Sequence, residues 1–273
     1  VGSLFWTWLV AVSFAQALFN RKMSAATRLC LLGITAIVLY HGLFQIRSWA
    51  SGWVPPVAAV GVILLFRVPR LVFGLTIAAV PVGLLLSGHI SRFFLGEESY
   101  SLMTRQEAWG VLWNIVERSP LLGTGPANYY YFTENFPLLG WYVRFISHNN
   151  YQDLLVQTGF LGLLAFFWFA FEAFWMMVRL YRQLPVGFAK AYVVGAIGGL
   201  MGSLVAGMLG DWIIPFYYNA GILGFRSSLL FWVFLGGTLA LKRMIPSPAA
   251  VEAIDDRSVY PVQHSRRALV GAR

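Results

Sequence analysis

Ser147-His148-Asn149-Asn150-Tyr151 closes the one extended polar stretch that lies between hydrophobic runs, and it opens another apolar run. A histidine there can take up a proton near neutral pH, because its ordinary pKa is about 6.5. The stretch before it, from Gly88 to Tyr151, contains Arg92, Arg105, Arg118 and Arg144 among many aromatics. Arginine holds its charge when partly buried, and its planar fork grips phosphate oxygens two at a time. Proton acceptance beside a gripped diphosphate is the chemistry these residue types can do together. None of the other histidines competes: His41 is inside an apolar run, His89 is at the exit of another, and His264 is in the C-terminal tail. No H-E-x-x-H or C-x-x-C spacing occurs, so no metal site is expected. Gly123-Thr124-Gly125 lacks the Lys-Ser/Thr that completes a phosphate loop, so no nucleotide or other cofactor is expected either.

The elements that must position these residues are apolar. The chain of 273 residues is 58% hydrophobic and 11% charged, with a mean hydropathy of +0.67, whereas soluble domains carry roughly 25% charged residues. An all-α polytopic membrane protein is expected. A helix needs about 20 apolar residues to cross about 30 Å of hydrocarbon. Such runs recur near 1–19, 29–46, 52–66, 71–88, 153–178, 191–210 and 222–241, giving about seven transmembrane helices. The third is the shortest and has Pro55-Pro56 near its start, where proline is best tolerated. Outer-membrane strands would alternate over about 10 residues; these runs are continuous. The chain starts at Val1 inside an apolar run and is read as an N-terminally truncated sequence.

Orientation follows from the basic residues, which stay cytoplasmic. Arg21, Lys22 and Arg28, then Arg67 and Arg70, then Arg179, Arg182 and Lys190, then Lys242 and Arg243 occupy alternate connections, which share one side. Every lysine falls there. The net charge of +9 is therefore largely an orientation signal, with anionic membrane lipid rather than nucleic acid as the partner. Four parts are expected: transmembrane helices 1–4 over 1–88, an outward periplasmic or extracellular loop over 89–151, transmembrane helices 5–7 over 152–242, and a disordered cytoplasmic tail over 243–273. Cys30 is the one cysteine, so no intrachain disulfide can form.

Within the loop, Val111, Leu112, Ile115 and Val116 fall at helical spacing, and Thr104 with Glu107 has the pattern of a capping box. An amphipathic helix over about 105–118, lying on the membrane surface, is expected, ended by Ser119-Pro120. Tyr129-Tyr130-Tyr131-Phe132 and Trp141-Tyr142 suit the bilayer interface, with sugar stacking as the alternative. Asn150 and Asp153 are read as the cap of a helix running to about Met177. The outward cations, Arg47, Arg92, Arg105, Arg118, Arg144 and Arg226, are all arginine. Gly195, Gly198, Gly199 and Gly202 read as close helix packing.

His148-Asn149, nine intervening residues and Gly159, then Gly162, resembles the His-Asn/Ser/Gln-x9-Gly signature of the bacterial O-antigen ligase and polymerase superfamily. Arg105 with Trp109, followed by Ser119-Pro120-Leu121-Leu122-Gly123-Thr124-Gly125, is similar to the stretch that precedes the histidine in that family. Gln45-Ile46-Arg47-Ser48-Trp49 resembles its S-R-G turn, with Ile46 and Ser48 as departures. The resemblance implies a membrane glycosyltransferase in surface polysaccharide biosynthesis, with its site on the outer face of the bacterial inner membrane. It would be metal-independent and inverting, taking a polyprenyl-diphosphate-linked glycan, such as one on undecaprenyl diphosphate, as donor and a lipid or glycan as acceptor.

Carried over by position, His148 is the catalytic residue, and Arg47 and Arg105 lie at the donor diphosphate. Asn149, Asn150, Tyr151, Arg144, Asp211 and Arg226 are possible substrate contacts, and Glu107 is the substitute base. Ligation onto lipopolysaccharide, chain polymerisation and protein O-oligosaccharyl transfer all share this donor chemistry. A lipid-linked glycan transporter is the reading outside the enzyme class. Transporters place ionisable groups near the membrane midplane and show internal repeats; these runs are almost free of charge and no repeat is evident.

Overall fold

The computed structural model describes residues 2–85 and 99–244, and these residues are mainly helical, with no strand among them. Each of the seven apolar runs is occupied by a helix: α1 (Ser3–Phe19), α2 (Ala25–Tyr40), α3 (Ala50–Leu65), α4 (Pro69–Leu85), then α5 (Ser99–Val116) in the polar stretch, followed by α6 (Asn150–Gln183), α7 (Phe188–Leu209) and α8 (Phe225–Met244). Three helical segments are both long and apolar enough to cross a membrane: Ala25–Gln45, Asn150–Gln183 and Phe188–Leu209. Those at Ser3–Phe19, Ala50–Leu65 and Pro69–Ala79 are apolar but shorter. Residues 86–98, which hold the end of the fourth expected span and the start of the expected loop with His89 and Arg92, and the expected disordered tail beyond 244 lie outside the described residues. The chain divides into two compact units, Val1–Thr238 and Leu239–Arg273. The site belongs to the first, and the described part of the second is the end of α8.

Helix α7 is the packing centre, with α1, α3 and α6 against it. Its glycines make this possible. A Cβ on Gly199 would lie 2.4 Å from the Trp8 ring, and one on Gly202 would lie 2.6 Å from Thr7 Cγ2 and 2.7 Å from the Pro55 carbonyl oxygen. Small residues bring helix backbones together where apolar surroundings give no hydrophobic drive. By contrast, α2 and α4 leave Leu29, Ile37, Leu71, Phe73, Leu75 and Ile77 exposed, the surface that lipid would cover. Ser24 caps α2, its hydroxyl accepting from Thr27 N at 3.2 Å. The helix then widens into a π-turn at His41–Gln45 just before Arg47.

Two boundaries differ from the expectation, each for a physical reason. Helix α5 begins at Ser99 rather than about 105, so Thr104 is inside the helix and forms no capping box. Its apolar face is covered by protein rather than by the membrane surface: Leu112, Ile115 and Val116 pack with Tyr129, Leu155, Val156 and Phe216. The cap of α6 is Asn149, whose side-chain oxygen accepts from Tyr151 N and Gln152 N. Asn150 is already helical, and its carboxamide is used elsewhere. Moreover, α6 does not run unbroken toward Met177; Gly159 (φ 64°, ψ −170°) interrupts it.

Candidate functional site

The break at Gly159 is the seat for the loop that follows α5. Backbone amides of Thr124 and Gly125 donate to the carbonyls of Val156 and Gln157, both at 2.9 Å. In return, Phe160 N donates to the Pro120 carbonyl at 2.8 Å and Leu161 N to that of Leu121 at 3.3 Å. An uninterrupted helix would already have used these groups. Neither chain tolerates a side chain at the crossing: a Cβ on Gly159 would be 2.2 Å from the Leu121 carbonyl, and one on Gly123 (φ 68°) would be 2.4 Å from that of Gln157. The Gln157 side chain completes the join, its oxygen accepting from Ala127 N at 2.7 Å.

That join positions Tyr129, which stacks on Phe216 at 5.0 Å and is fully buried. Its hydroxyl donates to Asp153 Oδ1 and accepts from Ser147 N at 3.2 Å. Burial first, and then the Asp153 charge, pushes the Tyr129 phenol far above its ordinary range, so it stays a donor. Ser147 Oγ donates to Asp153 Oδ1 at 2.7 Å and accepts from Asn149 N at 3.0 Å. His148, held between these anchored neighbours, takes a left-handed φ of 52°. Non-glycine residues adopt that conformation only where their surroundings fix it.

The imidazole opens onto a cavity of about 480 Å³ walled by Thr104, Arg105 and Ala108 of α5, by Leu138, and by Phe145–His148. Partial desolvation is the main cause that lowers the His148 pKa below its usual value; Asp211 opposes this, and the positive charge of Arg105 adds to it. Desolvation thus favours the neutral ring, the form that can accept a proton. Arg105 itself is exposed on the cavity wall. A neutral base and a cation that share one cavity can receive a proton and an anionic group side by side.

The other expected contacts divide. Asp211 acts on His148 electrostatically, and its carboxylate also accepts from Phe216 N at 2.9 Å. Arg47 does not line the cavity among the described residues. Its segment packs against the one that carries Asp211: Ser51 Oγ donates to the Leu209 carbonyl at 3.0 Å, and Trp49 meets Trp212 edge-on at 6.3 Å. Asn149 is occupied as the cap, and it also donates to the Met208 carbonyl at 3.2 Å. Asn150 donates to the Ile214 carbonyl at 2.7 Å and accepts from Ile213 N at 2.8 Å, so its amide ties the start of α6 to the chain after α7. Tyr151 stacks on Phe167, and its hydroxyl donates to the Leu204 carbonyl. Arg144 forms a bidentate pair with Glu134 at 2.7 and 2.9 Å and lies over the Tyr131 ring. Arg226 is exposed at the start of α8. Glu107 faces a different cavity, so it is not placed as a substitute base. Among the described residues, no group of three or more His, Cys, Asp or Glu side chains could hold a metal ion.

Ser147, Tyr129 and Gln157 are positioning residues whose role the sequence did not assign; Tyr129, expected at the bilayer interface, is buried in the protein instead. Ser147 adjoins His148, which is a signal; the other two are fixed by contacts across the fold, which spacing cannot show. Residues 23–167, just over half of the chain, match the model of the family described as O-Antigen ligase. The match spans Arg47, Arg105, the loop glycines, His148 and Gly159, and it ends before Asp211 and Arg226. No curated protein matches the chain.

Proposed function

The chain belongs to the O-antigen ligase family, and from that premise we propose that it transfers a glycan from a polyprenyl-diphosphate carrier to an acceptor hydroxyl, with His148 as the base. A bacterial membrane enzyme of the O-antigen ligase or polymerase type, acting in polysaccharide biosynthesis, is what the family and the apolar helices together describe. The finer assignment rests on one observation above all: a histidine with a lowered pKa shares a cavity with Arg105.

In the proposed reaction the acceptor oxygen attacks the anomeric carbon of the donor from the face opposite the diphosphate. The new glycosidic C–O bond forms as the old one breaks with inversion, and its electron pair leaves on the diphosphate. The hydroxyl proton passes to neutral His148 and from there to water. The leaving group arrives charged, so holding it matters more than protonating it. Arg105 does this from the cavity wall, and Arg47 supplies a second cation from the turn between α2 and α3. Preorganised charge in a partly dry site is worth more than the same charge in water. The seven apolar helices would serve as spans, residues 89–151 would face outward, and the site would lie on the outer face of the inner membrane. Chain polymerisation, ligation to lipopolysaccharide and transfer to a protein hydroxyl share this step and differ in acceptor.

The test is transfer from a defined polyprenyl-diphosphate oligosaccharide by the full chain in proteoliposomes, run with and without a chelator. His148→Ala should lose about 10²- to 10⁴-fold in rate, the usual contribution of a positioned base, while remaining inserted. Near-normal product formation by that variant would refute the assignment. Movement of the donor across the bilayer without a new glycosidic bond would replace it with transport.

A further inference from the structure

A second and larger cavity, of about 800 Å³, lies on the other side of the same two structural walls. Along α5, Arg105 and Ala108 face the His148 cavity, while Glu107, Trp109, Trp113 and Asn114 face this one. In the segment that follows the aromatic turn, Leu138 faces the first cavity, and Phe136 and Pro137 face the second. The two spaces are therefore neighbours that share α5 and one strip of loop. Trp109 and Trp113 are one helical turn apart, on one face, with ring centroids 5.9 Å apart and planes tilted by 48°. Gly110 also lines the cleft, and a Cβ there would meet nothing within 4 Å. The guanidinium of Arg118 lies 5.2 Å over the Phe136 ring and holds that wall in place. Glu107 and Asn114 are exposed, and neither side chain hydrogen-bonds to another described residue.

We infer that this cleft is a glycan subsite, in which Trp109 and Trp113 carry the C–H faces of pyranose rings and Glu107 and Asn114 bind their hydroxyls. The inference rests on the glycan-transfer reading and adds a place where the sugar chain is held. Indole rings offer broad apolar faces with one polar edge, and a carboxylate with a carboxamide supplies the acceptors and donors that hydroxyls need. The contrast within the molecule supports a sugar over a lipid. The cavity of about 570 Å³ between α3, α6 and α7 is lined by Val62, Leu65, Phe167, Phe174, Met201 and Leu204 among others, none of them polar. A hydrocarbon chain fits that one. The cleft on α5 pairs aromatic faces with a carboxylate and an amide, and it adjoins the cavity where the reacting end of the sugar would sit.

The experiment uses the full chain in phosphatidylcholine nanodiscs, titrated calorimetrically with lipid-free oligosaccharide. The probe is released by mild acid from the surface polysaccharide of the bacterium that encodes the protein. Saturable binding is expected, weakened at least tenfold by Trp113→Ala and by the isosteric Glu107→Gln, which tests the cleft even if the larger change unfolds the protein. The KM for glycan substrate should rise in proportion. A rise for donors of increasing glycan length assigns the cleft to the donor chain, and a rise for acceptors assigns it to the acceptor. Unchanged affinity in both folded variants, or no binding to the wild type, overturns the inference. So does an acyl occupant, seen as quenching by brominated phosphatidylcholine that is lost in Trp113→Phe and not relieved by oligosaccharide. His148→Ala should bind the oligosaccharide with wild-type affinity, so an empty cleft with an inactive His148→Ala removes the cleft alone, and an active His148→Ala removes the base alone.

Discussion

Replacing Gly159 with alanine tests whether the helix break is what builds the site. The residue has φ 64° and ψ −170°, a region that is essentially closed to side-chain-bearing residues and costs them about 1–3 kcal/mol. The new Cβ would also lie 2.2 Å from both the carbon and the oxygen of the Leu121 carbonyl. Backbone cannot rotate away as a side chain can, so the 119–125 loop must lift. Lifting forfeits the bonds from Phe160 N to Pro120 and from Leu161 N to Leu121, at about 0.5–1.5 kcal/mol each. The sum is a loss of about 2–6 kcal/mol. Because the loop also seats Tyr129 and thereby Ser147, His148 should shift with it, and a displacement of about 1 Å costs about 10²-fold in rate. Tryptophan fluorescence during thermal unfolding measures the first quantity, and glycan transfer in proteoliposomes measures the second. Gly123→Ala strikes the same crossing from the other chain, so the double variant should cost less than the two single changes added together. Gly61→Ala is the control, since a Cβ there would meet nothing within 4 Å and helix propensity favours alanine by about 0.5–1 kcal/mol. If Gly159→Ala is as stable and as active as Gly61→Ala, the crossing does not position the site.

The electrostatics of His148 give a prediction of defined sign. A base works when neutral, so kcat/KM should rise with pH and level off, with its midpoint below the ordinary histidine value of about 6.5. Asp211→Asn removes a charge that raises this pKa, and it should move the rising limb to lower pH; Arg105→Gln removes one that lowers it, and it should move the limb to higher pH. Limbs that shift together, or in the opposite sense, would separate His148 from the group being titrated. Asn150→Ala leaves Ile213 N and the Ile214 carbonyl without their partner, at about 1–3 kcal/mol for the buried Ile213 N, and the midpoint of thermal unfolding should fall by several degrees. An unchanged midpoint would mean that water satisfies both groups.

What was legible in the sequence follows from which interactions are local. Helix positions were legible because continuous apolar runs leave few alternatives, and all seven runs are occupied by helices. Their membrane-crossing role was less so, since α1, α3 and the apolar part of α4 are shorter than a free-standing span requires. The glycines of α7 were read correctly as packing positions, because four small residues on one helix have one obvious use. Helix α5 was misplaced at its start because a Thr-x-x-Glu pattern inside a helix is indistinguishable from a cap. Its partner was misread because an apolar face does not say whether lipid or protein covers it. Asn150 and Tyr151 were offered as sugar contacts; both have their polar groups satisfied by backbone groups 53 to 64 positions away in the chain.

The motifs themselves show where spacing stops and structure begins. Nine residues separate Asn149 from Gly159, and read alone that interval only says that both lie along one helix. The Pro-Leu-Leu-Gly-Thr-Gly stretch was legible only as a segment that precedes the histidine. They are two halves of one crossing: a helix that stops hydrogen-bonding to itself at Gly159, and a loop whose amides and carbonyls take up the freed groups. The interval then acquires a physical meaning, because it sets how far the crossing lies from the α6 N-terminus where His148 is held. A longer or shorter interval would bring Tyr129 to a different turn, leaving the hydroxyl that holds Ser147 and Asp153 out of reach. The same crossing sets α5 alongside, which brings Arg105 to the histidine and turns Trp109 and Trp113 toward the neighbouring cleft. The histidine, the arginine and the aromatic wall thus depend on one backbone join, so substitutions there should perturb binding and turnover together, whereas substitutions in either cavity should affect them separately.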